Sequence, residues 1–205
     1  MTVGMRMSSL PARFRAAFAV VLLSAVLGAC GVSDVPALEE QATSAWSEVR
    51  NQYQRRADLV PTLLETMKGV AEQEREALTQ VAEARARASE VPVDAATVRD
   101  PQRFQAFQQA QDRLSGALSR LLASVERYPD LKSNADFLAL QSQIEGTENR
   151  IAVARRDYVE AVRGYNAELS TIPSRWIAAF LHPDAKPMLT FSAPAGQERP
   201  PGATF

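Results

Sequence analysis

Three kinds of side chain in this sequence could carry out chemistry: one thiol, one imidazole and a close pair of carboxylates. The thiol belongs to Cys30 and the imidazole to His182, each the single residue of its type. His182 lies in a proline-containing C-terminal stretch, where a solvated surface histidine is the simplest interpretation. Glu145 and Glu148 lie three residues apart on a predicted helix, which favours a solvated or salt-bridged pair over a catalytic dyad. Because no metal-ligand pattern, base-activated nucleophile or glycine-rich phosphate loop accompanies them in the sequence, we expect no catalytic residue, no metal and no cofactor.

Cys30 stands at the end of a segment that is typical of bacterial protein export. Arginines at positions 6, 13 and 15 precede an apolar run over residues 16–29. As a helix this run would be about 21 Å long, which is short for a membrane span and typical of a signal peptide. It ends in Leu27-Gly28-Ala29-Cys30, which resembles a bacterial lipobox, where small residues admit the peptidase and the thiol receives the lipid. We predict cleavage after residue 29 and attachment of fatty acids such as palmitate at Cys30; an uncleaved N-terminal anchor is the alternative.

The residue that follows the cysteine bears on which membrane holds the anchor. Two or three acyl chains hold a protein on a membrane where one does not. In Gram-negative lipoproteins an aspartate in this position resembles an inner-membrane retention signal, and Gly31 stands there instead. We therefore expect a lipid anchor in the cell envelope, on the periplasmic face in a Gram-negative cell, with the outer membrane favoured.

Charge argues against nucleic acid as a partner. The chain carries a formal charge of −1, and loss of residues 1–29 would remove three of its 23 basic residues and none of its 24 acidic ones. The mature part is then acidic, whereas nucleic-acid binders normally show a basic patch. One cysteine also excludes an intrachain disulfide.

Long helices must position the remaining polar residues. Beyond residue 40 the sequence is rich in Ala, Glu, Gln, Arg and Leu, which favour helices. We predict a first helix over 39–90, kinked at Pro61, a second over 102–127 and a third over 134–170. Apolar residues recur along the first helix in a heptad pattern, namely Trp46, Val49, Tyr53, Val60, Leu63, Met67, Val70, Ala77 and Val81. The third helix has its own heptad series of Phe137, Ile144, Ile151, Tyr158, Tyr165 and Ile172.

Turn signals separate these helices. Pro92 and its β-branched neighbours predict a loop over 91–99, and Asp100 before a proline predicts the N-cap of the second helix. Ser133 and Asp136 have the spacing of a capping box. Pro173 should end the third helix, and a short turn over 174–180 follows it. The predicted fold is an all-α antiparallel bundle of three long helices plus a short C-terminal helical element. The predicted organisation is a signal peptide (1–29), a lipidated linker (30–38), a helical domain (39–191) and a disordered tail (192–205).

Charged residues on or beside the heptad seams form the candidate site. Arg56 and Glu74 occupy seam positions of the first helix, and three charged residues lie close to the seam of the third, namely Glu148, Arg150 and Arg155. We predict that Glu74 pairs with Arg150 or Arg155. Polar residues at such positions often fix helix register and partner choice, which is the favoured role here. The alternative is a ligand-binding layer between the helices.

A predicted difference in helix length points to a partner surface. From Trp46 to Glu90 the first helix would be about 67 Å long and the second helix about 39 Å, so part of the first would overhang the bundle. That part carries Trp46, Val49 and Tyr53 on one face, and large side chains of this kind should not remain in water. Folding back at Pro61, a second copy of the chain or another envelope protein could cover them. We favour a protein partner on this aromatic stripe.

Two long stretches resemble the signatures of the LemA family. The first runs from Trp46 to Pro61 and continues to Glu74; the second begins at Tyr128 and continues through residues 145–156 to Asn166. Together they cover about 39–191. The resemblance implies a helical bundle and an N-terminal membrane anchor, although many relatives carry a transmembrane helix where this chain has the lipobox-like sequence. It implies no established reaction.

The sequence therefore supports two functional hypotheses besides an enzyme, which we disfavour. The first is a non-enzymatic interaction, scaffold or sensing module that is anchored to the membrane and binds a protein partner or another copy of itself. The second is a small-ligand receptor that uses the predicted polar layer. A deep polar pocket would favour the receptor.

Overall fold

A computed structural model describes residues 34–191, except 71 and 173 and the side chain of 177. The predicted signal peptide, Cys30, Gly31 and the predicted tail 192–205 lie outside the described residues. The described residues form helices and connecting segments without a β-strand, so the prediction of an all-α bundle is confirmed. None of the helices in this part of the chain has both the length and the apolar character of a membrane span.

Six α-helices follow one another in the part of the chain that the structure describes. They are α1 (Asp34–Thr66), α2 (Arg75–Glu90), α3 (Pro101–Ser124), the single turn α4 (Pro129–Lys132), α5 (Ala135–Ser170) and α6 (Ser174–Leu181). Short 3-10 turns occupy Lys68–Val70, Thr97–Arg99 and Val125–Arg127. The long helices α1, α2, α3 and α5 pack as an antiparallel bundle in which α1 lies along α5 and α2 lies along α3.

The predicted first helix is two helices, which corrects the count of three long helices to four. α1 runs through Pro61 and ends at Thr66, and α2 begins at Arg75. Gly69 lies in the intervening 3-10 turn, and glycine weakens a helix because it leaves the backbone the most freedom to lose. The heptad spacing continues across the break, from Met67 to Val81, because both helices bury their apolar faces in the same core.

The starts of the other helices are close to the predicted positions. Asp100 caps α3 by accepting hydrogen bonds from the backbone amides of the next turn, with Pro101 at the first helical position. At α5 the prediction of a capping box at Ser133 and Asp136 is wrong. The N-cap is Asn134, which accepts from the Phe137 amide at 3.0 Å, and the apolar Phe137 cannot complete a capping box. At the N-terminal end, α1 begins at Asp34, five residues before the predicted start, so part of the predicted linker 30–38 is helical.

A C-terminal strap, residues 182–191, closes one side of the bundle. Asn166 holds it with two hydrogen bonds, since its amide nitrogen donates to the Met188 carbonyl and its carbonyl oxygen accepts from the Met188 amide. The Leu189 amide donates to the carbonyl of Val98, and the Tyr158 hydroxyl donates to the carbonyl of Leu189 at 2.6 Å. The strap therefore binds to α5 and to the loop before α3.

Candidate functional site

Arg56 lies in the middle of α1, on the face that packs into the bundle. It follows Trp46, Val49 and Tyr53 at alternating steps of three and four residues, so it occupies a seam position between apolar neighbours. Its exposed fraction is 0%. A guanidinium in such a place has lost its hydration and must find its hydrogen-bond acceptors within the protein.

Side chains from α3 and α5 supply those acceptors. Nη1 of Arg56 donates to Oε1 of Glu148 at 2.7 Å and to the hydroxyl of Ser115. Nη2 donates to the carbonyl and the side-chain oxygen of Gln111, at 3.1 and 2.7 Å. The ring of Tyr53 lies 5.0 Å from the guanidinium carbon, which adds a cation–π contact, while Nε has no acceptor among the described residues. We call Arg56, Gln111, Ser115 and Glu148 the Arg56 layer.

The Arg56 layer divides the core into two apolar clusters. One cluster contains Tyr53 of α1 and Ile151 of α5, and the other contains Val60 of α1 and Ile144 of α5. Because the layer joins three helices between these clusters, it fixes how far along its axis each helix lies. Glu148 is 38% exposed, so the pair is buried on the arginine side and reaches water on the other.

The aromatic stripe lies inside the protein, so the predicted overhang and its partner surface are wrong. Trp46, Val49 and Tyr53 are all buried, with Trp46 only 2% exposed. The error follows from helix length, because α1 has 33 residues and α5 has 36, about 50 and 54 Å, and the two pair along their whole length.

An aromatic cluster surrounds Trp46. The centroid of its ring lies 5.3 Å from those of Phe107 and Tyr158, 6.0 Å from that of Phe104 and 6.2 Å from that of Phe191 in the strap. Its indole nitrogen donates to the carbonyl of residue 94 at 3.3 Å. Four elements thus cover the side chain that the sequence predicted to need a partner protein.

Burial alters the acidity of the tyrosines in this region. Desolvation raises the pKa of Tyr158 well above its ordinary value near 10, and its hydroxyl is used as a donor to the strap. Desolvation also raises the pKa of Tyr53, although the nearby Arg155 and Arg56 charges act against it. Neither phenol is suited to act as a general base at neutral pH, because each keeps its proton.

Glu74 lies at the break between α1 and α2, far from the Arg56 layer. Its carboxylate accepts hydrogen bonds from the guanidinium of Arg127 at 2.6 Å and from the Tyr128 hydroxyl at 2.7 Å. The hydrogen bond between the Tyr128 hydroxyl and Glu74 raises the pKa of Tyr128 more than burial does. The prediction that Glu74 pairs with Arg150 or Arg155 is therefore wrong. Glu74 instead connects the α1–α2 turn to the segment after α3.

Two arginines of the predicted polar layer lie outside the Arg56 layer. Arg150 is exposed, with a long contact of 3.5 Å to the Thr147 hydroxyl on its own helix. The guanidinium carbon of Arg155 lies 4.3 Å from the ring of Phe191, where it covers the strap. Of the five residues predicted to form the polar layer, the structure thus brings only Arg56 and Glu148 together.

A family model for the LemA family matches residues 45–205. The chain belongs to the LemA family. It is also 35% identical over 69 residues to Magnetosome protein MamQ 1 and to Magnetosome protein MamQ 2 of Paramagnetospirillum magneticum (strain ATCC 700264 / AMB-1). Each match covers 34% of this chain and 25% of the relative, so the chain spans about a quarter of the length of these curated relatives.

The LemA signature residues of this chain hold its parts together. Trp46 and Arg56, from the first stretch, occupy the aromatic cluster and the Arg56 layer. Glu148, from the second, completes that layer, and Tyr128 and Asn166 bind Glu74 and the strap. In this LemA protein the signature therefore coincides with the polar and aromatic contacts that connect separate segments.

A groove of about 410 Å³ opens beside the Arg56 layer of the LemA bundle. Its walls come from α1, from the end of α2 with the following loop, and from α3. Tyr53 and Gln111 line the groove on the side of the Arg56 layer. The polar residues Arg50, Asn51 and Gln54 line it on the α1 side. The volume suits a small molecule, and the groove has a single cationic side chain, that of Arg50.

Sequence reasoning missed the neutral members of the Arg56 layer. Gln111 lies on the apolar face of α3, four residues after Phe107 and three before Leu114, and is itself buried. A polar residue within an apolar seam was the available signal. Ser115 gave no such signal, because its role follows from its place one turn after Gln111.

No metal centre is present among the described residues, since no three His, Cys, Asp or Glu side chains there are grouped to hold an ion. Glu145 accepts a hydrogen bond from Gln141 at 2.9 Å, and Glu148 is paired with Arg56. The two carboxylates that the sequence offered as a conceivable dyad thus have separate partners.

Proposed function

We propose that this LemA-family protein is a lipid-anchored, non-enzymatic interaction module of the bacterial envelope. In this proposal residues 1–29 direct export and Cys30 carries the lipid. The helical domain then binds an envelope protein or a second copy of itself at the membrane surface. The observation that carries the proposal is the short separation in sequence between the predicted anchor and the helical domain. α1 begins at Asp34, four residues after the cysteine of the lipobox-like sequence.

The internal use of the polar residues supports binding over catalysis. The Nη atoms of Arg56 donate to Glu148, Gln111 and Ser115. The Glu74 carboxylate accepts hydrogen bonds from Arg127 and Tyr128. A general acid, base or nucleophile must instead reach a substrate atom. These groups are arranged to hold helices together, which suits a rigid module that presents a surface.

The periplasmic face is the proposed location in a Gram-negative cell, with the outer membrane favoured by Gly31. Cys30→Ala tests the anchor directly. We expect an unprocessed precursor without incorporated palmitate, while the wild type yields a shorter, labelled membrane protein. A mature, membrane-bound wild type with an unmodified Cys30 thiol by mass spectrometry would contradict the proposal.

The binding partner is tested in intact membranes. A photo-crosslinking residue on an exposed position of the bundle, such as Arg113, should give a discrete adduct with a second protein or with another copy of the chain. Cys30→Ala should lose that adduct because the bundle no longer lies at the membrane. A wild-type chain that gives no adduct from any exposed helix face would contradict an interaction role.

A small-ligand receptor is the second candidate, and the groove beside Tyr53 and Gln111 favours it. Arg50 at the groove suits a small carboxylate or phosphate. A thermal-shift panel of such anions should reveal a compound that raises the melting temperature of the wild type but not of Arg50→Ala. The exposed Arg120→Ala is the matched control. An equal response in all three proteins would exclude the groove as the binding site.

A further inference from the structure

Large apolar side chains are exposed on and next to α6. Trp176 is 67% exposed and Phe180 is 86% exposed, and Ile172 and Leu181 are more than half exposed. Trp176 and Phe180 lie four residues apart on the helix, so they share one face. Only two other large apolar side chains of the described residues are comparably exposed, and they lie far apart on α5.

The opposite side of α6 is fixed to the bundle. Ala178 is buried in the cluster that also contains Val35 of α1 and Val162 of α5. The Arg175 amide donates to the carbonyl of Thr171, which follows α5, and the strap after α6 is held by Asn166. α6 is therefore an amphipathic helix with a settled orientation, and its exposed apolar face belongs to the folded domain.

This face lies at the end of the bundle where the chain leaves toward the predicted anchor. α1 and α5 are antiparallel, and a Cβ atom on Gly164 would lie 3.7 Å from Leu38, so the start of α1 is level with the end of α5. Cys30 is four residues before Asp34, and four residues of chain reach at most about 14 Å. A lipid on Cys30 would therefore hold this end of the bundle against the bilayer.

We propose that the apolar face of α6, formed by Trp176 and Phe180 with the exposed Ile172 and Leu181 beside it at the two ends of the helix, inserts into the headgroup region of the bilayer that holds the acyl chains of Cys30. The inference rests on the lipid anchor of the proposed function. Amphipathic helices bind membranes in this way, with one apolar face at the boundary of headgroups and acyl chains, and tryptophan is enriched at that depth. The anchor and α6 then act as two attachments, which fixes the orientation of the bundle on the membrane.

Tryptophan fluorescence tests the insertion in the full lipidated chain, because the two tryptophans have opposite exposure. Trp46 is buried in the aromatic cluster and Trp176 is exposed. The protein is reconstituted into vesicles of phosphatidylethanolamine and phosphatidylglycerol with brominated acyl chains, and flotation measures membrane attachment. We expect the bromine to quench emission of the wild type and the quenching to be lost in Trp176→Phe, whose remaining Trp46 is shielded.

A matched pair of variants separates insertion from folding. Phe180→Glu places a charge on the α6 face and should reduce the quenching of Trp176 while the protein still floats and melts at the wild-type temperature. Leu138→Glu places the same charge on an exposed leucine at the far end of α5 and should leave the quenching unchanged.

The outcomes distinguish the anchor from α6. Flotation with Trp176 unquenched and accessible to acrylamide would overturn insertion and leave the lipid anchor intact. Flotation with Trp176 unquenched but protected from acrylamide would also overturn it, since a protein would then cover the face. A wild-type chain that does not float would overturn both the anchor and the insertion.

Discussion

Removal of Glu148 is the most informative perturbation of the Arg56 layer. Breaking a buried ion pair by removing one partner typically costs about 3–5 kcal/mol, because the remaining charge is left without compensation. Here the cost is reduced on two grounds. Glu148 is 38% exposed, so water can replace part of its contact, and Gln111 keeps both of its hydrogen bonds to Arg56. We expect Glu148→Ala to lower the free energy of unfolding by about 2–3 kcal/mol.

A second substitution, Arg56→Met, tests this prediction further, because its effect on the free energy of unfolding should have opposite signs with and without Glu148. In the wild type, Arg56→Met should destabilise, because it leaves the buried Gln111 side chain without its partner. In the Glu148→Ala background, the same Arg56→Met change still leaves Gln111 unpaired, but it also removes an uncompensated buried charge. It should therefore restore part of the lost stability. The double-mutant cycle thus measures the coupling energy between Arg56 and Glu148.

Urea denaturation followed by far-ultraviolet circular dichroism measures each member of the cycle in the chain without residues 1–30. Glu145→Ala is the matched control, since Glu145 is an exposed glutamate on the same helix whose partner is Gln141. That control should change stability by less than about 0.5 kcal/mol. If Glu148→Ala costs no more than Glu145→Ala, the reasoning about Arg56 is refuted.

Three further predictions concern the strap, the α1–α2 turn and alkaline pH. Phe191→Ala removes a ring from the cluster around Trp46 and should cost about 3 kcal/mol in urea denaturation; a cost below about 1 kcal/mol would show that the strap end contributes little. Glu74→Ala should cost only about 1–2 kcal/mol, because the mostly exposed Arg127 regains water, and a cost above about 4 kcal/mol would contradict that relief. The raised pKa of Tyr158 means that the folded state holds its proton more tightly than the unfolded state, so its stabilising contribution is complete below about pH 10 and is lost as the pH rises further. Tyr158→Phe should flatten this alkaline loss in urea titrations between about pH 8 and pH 11, and an unchanged slope would assign the loss to other groups.

Heptad periodicity predicted the interior of the bundle well. Phe137, Ile144, Ile151, Tyr158 and Tyr165 are all buried on α5 as their seven-residue spacing requires. The last member of that series, Ile172, is exposed because α5 has ended at Ser170. Periodicity reports which face of a helix is buried, and it says nothing about where the helix stops.

The errors arose where the chain changes direction. The heptad continues from Met67 to Val81 through the α1–α2 turn, so the spacing hid the break and Gly69 was the available sign of it. Placing Glu74 on a continuous helix put it opposite the wrong arginines. The strap was missed for a related reason, since an extended segment held by Asn166 and Phe191 has no period to detect.

The Arg56 layer links the fold to the orientation of the bundle on the membrane. Apolar seams that repeat every seven residues also fit after a slip of one heptad, about 10 Å along the axis. The pair between the buried Arg56 and the half-buried Glu148 removes that freedom, because the slip would leave the arginine among apolar side chains. The allowed register sets Leu38 against Gly164 and so brings α6 level with the start of α1. A bismaleimide should therefore join Leu38→Cys to Gly164→Cys in the wild-type layer. If the joined fraction is the same when Arg56 and Glu148 are both replaced by leucine, apolar packing sets the register and the layer serves stability alone.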